Sequence, residues 1–286
     1  MSRSKNPAGD APEPAKVTRL NMPTGLADSR AQAPGVDERL FLKSVERTFR
    51  VLEAFGVSYR PLSLAEIAKI AGMDKSGAQR ICHTLLALNY LERDAADTGF
   101  VPGKRLLERS FDYLRYNPLI ERAIPILIEL RKNVQERVDL SLFDDLSVIY
   151  AYRLQSKRDS FAATLVGRRL PTYVASGGRA ILAHLPDAEV DDILARSDRR
   201  ALTSKTVTDV GEIWKIIRQA RIDGYVLTQE EWLQGEIVIA AAITDAAQRP
   251  VAAIHVSASL SEWQVDDFRR RIAPLVMEAA RALSGK

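Results

Sequence analysis

The chain has a single cysteine, Cys82, in 286 residues, so no internal disulfide can form and no zinc site can be built from several thiolates. Its three histidines, His83, His184 and His255, lie far apart, without the short spacings that metal ligands need. No apolar run approaches the roughly 18 residues that cross a bilayer, so no membrane partner is expected. The first residues lack the apolar core of a secretory signal, which makes the cytoplasm the expected compartment. A phosphate-binding glycine loop and a dinucleotide fingerprint are also missing, and no cofactor is expected. Neither sign of charge is in large excess. A net charge of +4 permits a polyanionic partner but matters only if basic residues share a surface.

What is present fills two domains. A chain of 286 residues with 46% hydrophobic and 27% charged residues can bury two separate cores. Residues 1–38 hold Pro7, Pro12, Pro14, Pro23 and Pro34 without apolar periodicity and read as a disordered tail, whose Arg3, Lys5, Lys16 and Arg19 can brush DNA. Order begins near Phe41, where Val45, Phe49, Leu52 and Phe55 recur at helical spacing. Residues 39–103 then read as a winged helix-turn-helix domain, 104–118 as a linker helix, and 119–286 as an effector-binding and oligomerisation domain in which strands and helices mix, an α+β class. Pro118 is expected to break the linker helix, and Pro125 to sit in the first turn of a further helix.

The sharpest local pattern is Ser63 to Leu85. Ser63-Leu64-Ala65-Glu66 is a capping box: the Ser63 hydroxyl can accept from the Glu66 amide while Glu66 reaches back. Gly72 supplies the left-handed residue of a tight turn. Ile67, Ala68, Ala71, Met73, Ala78 and Ile81 have the sizes and spacing to fill the angle between two crossing helices. On the second helix Ala78, Ile81, Cys82, Leu85 and Leu88 are expected to point inward. Lys75, Ser76, Gly77, Gln79, Arg80, His83 and Thr84 are expected to point outward, where they can meet base edges and phosphates of the major groove. Arg80 and Gln79 suit base edges; Lys75 and Ser76 suit phosphate. Residues 90–103 read as a small hairpin wing carrying Arg93, with Lys104 just beyond, and Arg47 on the first helix completes the expected DNA-binding set. Cys82 reads as a small core residue rather than a redox group.

These stretches, with V-G-R-R-L-P (166–171), A-S-G-G-R-A-I-L-A-H-L-P (175–186), T-S-K-T-V-T-D (203–209), I-D-G-Y-V-L-T-Q-E-E (222–231), G-E-I-V-I-A-A (235–241) and V-A-A-I-H-V-S (251–257), resemble the IclR family of bacterial transcription regulators from about Phe41 to the end. The resemblance implies a GAF-like effector domain, with an antiparallel sheet flanked by helices. It implies a homodimer or homotetramer on a palindromic operator in double-stranded DNA, and a small organic acid as effector. It also implies that the backbone amides of Ser176 and Gly177 hold ligand oxygens, and that Thr228, Val238, His255 and Ser257 line the same pocket. Thr228, Val238 and His255 stand where members that bind small 2-oxo acids typically have Asp, Cys and Ser. This departure favours a larger, aromatic acid. Tyr152 and Arg153, at the end of the second strand of this domain, can line the pocket too, Arg153 as a bidentate carboxylate partner; His255 can instead be a buried histidine satisfied by backbone. Arg168 and Arg169 read as a solvated edge.

Two other readings remain open on sequence. In one, Ser176 is the nucleophile of a hydrolase-like enzyme with His255 as base, although the glycine that a nucleophile elbow needs two residues earlier is Val174. In the other, the protein is an architectural DNA-binding protein with no ligand. The regulator reading assigns no catalytic residue.

Overall fold

The computed structural model describes residue 37 and residues 39–155 and 166–285, so the expected disordered tail lies almost wholly outside the described residues. The chain divides into two compact units. One holds the chain up to His83 together with Arg93–Val101; the other holds Thr84–Glu92 and everything from Pro102.

The first unit is built on α1 (Lys43–Glu53), α2 (Leu64–Ile70) and the start of α3 (Lys75–Ala87). α2 begins where the sequence places it. The Ser63 hydroxyl accepts from the Glu66 amide at 3.3 Å, and the Glu66 carboxylate accepts from the Ser63 amide at 2.9 Å. The turn into α3 needs Gly72, whose φ of +64° most side chains would resist. Asp74 then accepts the Gly77 amide at 2.7 Å, closing the first turn of α3. Val51, Ala54, Ile67, Ala78 and Cys82 form the buried centre, and burial pushes the Cys82 thiol up to about 11, far from a reactive thiolate. Strands β1 (Leu91–Arg93) and β2 (Phe100–Pro102) make the short wing.

The second unit opens with α4 (Arg105–Tyr116) and α5 (Pro118–Val134). Pro118 does not merely break a helix; it starts one. The Asn117 side chain accepts from the amides of Leu119 and Ile120 at 3.0 and 3.2 Å, and Pro118 occupies the first helical position. α5 then runs unbroken through Pro125, where the sequence suggested two helices. The ring forgoes one hydrogen bond there, and burial of Ile120, Ala123, Leu127 and Leu130 offsets it.

Six antiparallel strands follow: β3 (Arg137–Asp144), β4 (Ser147–Leu154), β5 (Arg169–Pro171), β6 (Val226–Gln229), β7 (Glu236–Thr244) and β8 (Pro250–Ser259), in the spatial order β5-β4-β3-β8-β7-β6. β5 was not anticipated, because three residues are too few to show alternation. Among the described residues α5 and four later helices accompany the sheet: α6 (Ser176–Leu182), α7 (Asp187–Arg196), α8 (Val210–Asp223) and α9 (Val265–Leu283). α5 and α9 cover one face through Leu127, Val138, Leu140, Ile239, Ile254 and Phe268. α6 and α8 cover the other, with α7 outside them. Coverage on both faces explains why β7 and β8 read as nearly continuous apolar runs.

One irregularity decides which β4 side chains share a face. Leu140 pairs with Tyr152 but Ser141 pairs with Tyr150, so Ala151 is an extra residue in β4. The insertion flips the alternation beyond it. Tyr150 and Arg153 therefore lie on the α6 face, while Ala151 and Tyr152 pack into the core under α5 and α9.

Candidate functional site

On α3, Lys75, Ser76, Gln79, Arg80, His83 and Thr84 are exposed, as the sequence predicts for a surface that lies against DNA. Two expectations fail. Gly77 is buried, its amide taken by Asp74, and an added Cβ would sit 3.0 Å from the Asp74 carboxylate. Leu88, expected inside, is exposed near the end of the helix. Ser76 spends its hydroxyl on Asp74 at 2.6 Å, so its side chain serves the turn as well as the surface. Arg47 is exposed on α1, and its charge helps hold the Asp74 carboxyl below the usual range, after the hydrogen bonds from Ser76 and Gly77. On the wing, the Arg93 guanidinium lies 4.2 Å over the Phe100 ring and 3.5 Å from Asp97. Lys104 is exposed, with its ammonium 3.9 Å from Glu92.

The expected ligand residues fall into a pattern fixed by strand register. Thr228, Val238, Ser257 and Arg137 form one transverse row across β6, β7, β8 and β3. Val226, Ala240, His255, Asp139 and Arg153 form the next, ending on β4. Ser176 and Gly177 open α6 above His255. Approach there is close: an added Cβ at Gly177 would stand 2.3 Å from His255 Cε1 and 2.8 Å from the Ala253 side chain. Glycine at 177 is thus a packing requirement.

His255 is buried and satisfied by side chains, not by backbone. Nε2 lies 2.7 Å from the Ser141 hydroxyl and Nδ1 lies 3.3 Å from the Ser176 hydroxyl. Burial pushes its pKa down to about 4, against the pull of Asp139, so the ring is neutral near pH 7.

Beside it lies a buried ionic chain that the sequence reading missed. Arg153 donates through Nε and Nη2 to the two oxygens of Asp139, at 2.9 and 3.0 Å. Arg137 donates to Asp139 at 3.0 Å and to Glu236 at 2.6 Å. Burial alone would raise the Asp139 carboxyl, but Arg137 and Arg153 outweigh it and hold the group below the usual carboxylate range. The Arg153 guanidinium also lies 4.2 Å over the Tyr150 ring, which is tilted against His255 at 5.2 Å. The signal was available: Val138-Asp139-Leu140-Ser141-Leu142 places two polar residues two apart in an otherwise apolar strand, hence on one face.

Not every expected residue belongs to one cluster. Tyr152 faces the opposite core, and Tyr150 takes the place expected of it. Arg153 on β4 and Thr228 on β6 are separated by four strand spacings, about 19 Å at ~4.8 Å each, more than one benzoate spans. Arg169 does sit at the solvated edge strand, ion-paired with Asp144, but Arg168 is half-buried, 5.0 Å over Trp232. A cleft of about 400 Å³ opens beside the α4–α5 junction, lined by Tyr113, Asn117, Arg122, Leu142, Thr244 and Leu283, and none of the expected ligand residues lines it.

A second buried pair secures α6. Arg179 is fully buried and donates to both Glu231 oxygens at 2.6 and 2.7 Å and to the Tyr173 carbonyl at 2.7 Å; Glu231 also accepts from the Val207 amide. Among the described residues no group of three His, Cys, Asp or Glu is arranged to hold a metal, and no helix is long and apolar enough to cross a membrane.

Comparison with known proteins matches residues 44–95 to the IclR helix-turn-helix domain and residues 111–285 to the bacterial transcriptional regulator IclR C-terminal domain. The Pca regulon regulatory protein of Pseudomonas putida is 29% identical over 95% of this chain and 94% of its own length. Among solved structures, an IclR family transcriptional regulator from Brucella abortus superposes with a TM-score of 0.73 at 24% identity, covering 86% of this chain and 93% of that one. An IclR homologue from Microbacterium hydrocarbonoxydans complexed with 4-hydroxybenzoate does so with a TM-score of 0.68 at 24% identity, over 84% of this chain and 97% of that one. These relatives are regulators, not enzymes. With both family domains present in order and spanning most of its length, the chain belongs to the IclR family of DNA-binding transcription regulators.

Proposed function

We propose that the protein controls a catabolic operon in response to a small aromatic acid. The observation that carries the DNA half is α3, whose polar face from Lys75 to Thr84 is exposed while Ala78, Cys82 and Leu85 anchor the helix behind it. The effector half rests on the buried polar face of the sheet, where Asp139, Ser141, Ser176, His255 and Ser257 gather in an otherwise apolar core. The aromatic preference draws on the absence of acidic and thiol groups at Thr228, Val238 and His255, and on relatives named for the Pca regulon and for a 4-hydroxybenzoate complex. α1 and the two residues before it present Phe41, Leu42, Val45 and Phe49 to solvent, an apolar ridge that supports a homodimer or homotetramer on a palindromic operator. Effector binding shifts a two-state equilibrium that α4, leading from the winged unit into the sheet domain, passes to the DNA-binding surface.

Footprinting of the full-length protein on its own upstream promoter, with and without 4-hydroxybenzoate, tests the reading as a whole. Arg80→Ala is expected to weaken operator binding by about 1–3 kcal/mol while leaving binding to bulk DNA nearly unchanged. An equal loss on both would make Arg80 a phosphate contact. An effector at about 100 times its dissociation constant raises stability by roughly 2.7 kcal/mol. A flat thermal response to a broad panel of organic acids would favour an architectural protein instead.

A further inference from the structure

The ionic chain on the sheet is incomplete in one place. Asp139 takes one edge of the Arg153 guanidinium, through Nε and Nη2. Nη1, on the other side, is buried and has no acceptor among the described residues, in a side chain only 3% exposed. A dry, ionised donor without a partner is costly. Both nitrogens of His255 are taken by Ser141 and Ser176, and Gly177 lies directly on the ring. His255 is also neutral near pH 7 and brings no positive charge.

Resting on the effector reading above, we propose that Arg153 Nη1 is the donor that receives the effector's carboxylate, and that Asp139 is a positioning residue competing with the effector for the same guanidinium. The ligand class is an ionised aromatic carboxylic acid. The carboxylate supplies the missing acceptor in a charge-assisted hydrogen bond. The bulge at Ala151 is what brings Arg153 to this face, stacked on Tyr150 and next to His255. Asp139 holds the guanidinium edge-on until the ligand arrives. Weakening Asp139 therefore frees a second edge for bidentate binding, whereas removing Arg153 deletes the receptor.

The test uses full-length protein, thermal-shift and calorimetric titrations, and three probes: benzoate, 4-hydroxybenzoate and 3,4-dihydroxybenzoate, each beside its uncharged methyl ester. At least one acid is expected to bind the wild type well above its ester. Arg153→Gln loses that affinity by about tenfold or more, and Arg153→Lys falls between the two. Asp139→Asn gains affinity by about tenfold and shows the larger ligand-induced thermal shift. The double variant D139N/R153Q removes both charges together and keeps the comparison available should R153Q alone fail to fold; it is expected to bind acid and ester alike. Acid binding unchanged in R153Q or the double variant, or weakened in D139N, overturns the role of Arg153 while leaving the effector reading intact. No binding of any acid to the wild type overturns both.

Discussion

The exposed face of α3 and the sheet face under α6 both collect polar side chains, and they do so in opposite ways. On α3 the polar groups stand in water, and an apolar back does the folding. Under α6 Asp139, Ser141, Ser176 and His255 are buried and bonded to neighbours on the face, so each helps hold the sheet and its helix together. Function and stability therefore separate on the exposed helix and coincide on the buried sheet face. A substitution on α3 should cost DNA binding and little else, whereas a substitution in the sheet face should cost the fold first.

The largest effect that sharpens this contrast lies at Arg179. Arg179→Met leaves the Glu231 carboxylate buried with one backbone donor and strips the Tyr173 carbonyl of its partner. Breaking a buried pair from one side costs about 3–5 kcal/mol. Denaturant unfolding of the full-length protein should show that loss, and replacing Glu231 as well, by Leu, should restore part of it. A loss no larger than that of an exposed arginine such as Arg109 would break the contrast, because it would mean that buried polar groups here are no more structural than those in water.

How much of this was legible without coordinates follows the same division. The winged unit was readable because its determinants are local. Ser63 and Glu66 are three residues apart, Gly72 needs only its own φ, and the inward positions of α3 follow a 3.6-residue period. Its errors were local too: Gly77 faces in because Asp74 caps that turn, a bond that periodicity does not encode. The sheet face depends on pairing between residues up to about a hundred positions apart, such as Arg137 with Glu236 or Ser141 with His255. No window along the chain contains such a pair. The bulge at Ala151 then puts Tyr150 and Arg153 on one face and Tyr152 on the other, and nothing in S-V-I-Y-A-Y-R-L announces it. Family resemblance singles out Ser176, Thr228, His255 and Ser257 as expected pocket residues, but it could not say that His255 would be occupied by two hydroxyls.

The next effect in size is set by pH. His255 is held near 4 when folded against 6.5 when free, so between those values the unfolded chain takes up a proton that the folded chain refuses. A depressed histidine pKa gives stability that is fully present above pH 6.5 and is lost as pH falls toward 4, amounting to about 3 kcal/mol. His184 is shifted in the same direction by its own burial and contributes to the same window. Urea midpoints measured from pH 7.5 to 4 should therefore decline, and His255→Gln should flatten the decline more than His184→Gln does. Were the two replacements equivalent, the sheet face would be better hydrated than its geometry indicates, and the distinction from α3 would narrow.

The smallest effect asks whether the winged unit keeps its own division between folding and binding. Ser63→Ala removes the hydroxyl that accepts from the Glu66 amide but leaves the Ser63 backbone amide free to donate to Glu66, which Arg60 also holds. Losing such a cap costs about 1 kcal/mol. Because α2 has only seven residues and buries Ile67 and Ala68, the loss should appear as faster hydrogen exchange along α2 and a thermal midpoint lower by a few degrees. α3 keeps its own cap at Asp74, so operator affinity should fall much less than in Arg80→Ala. If the Ser63 variant instead lost operator binding as fully as the arginine variant, the α3 surface would depend on α2 for its shape, and exposed function would prove as tightly tied to folding as the buried site is.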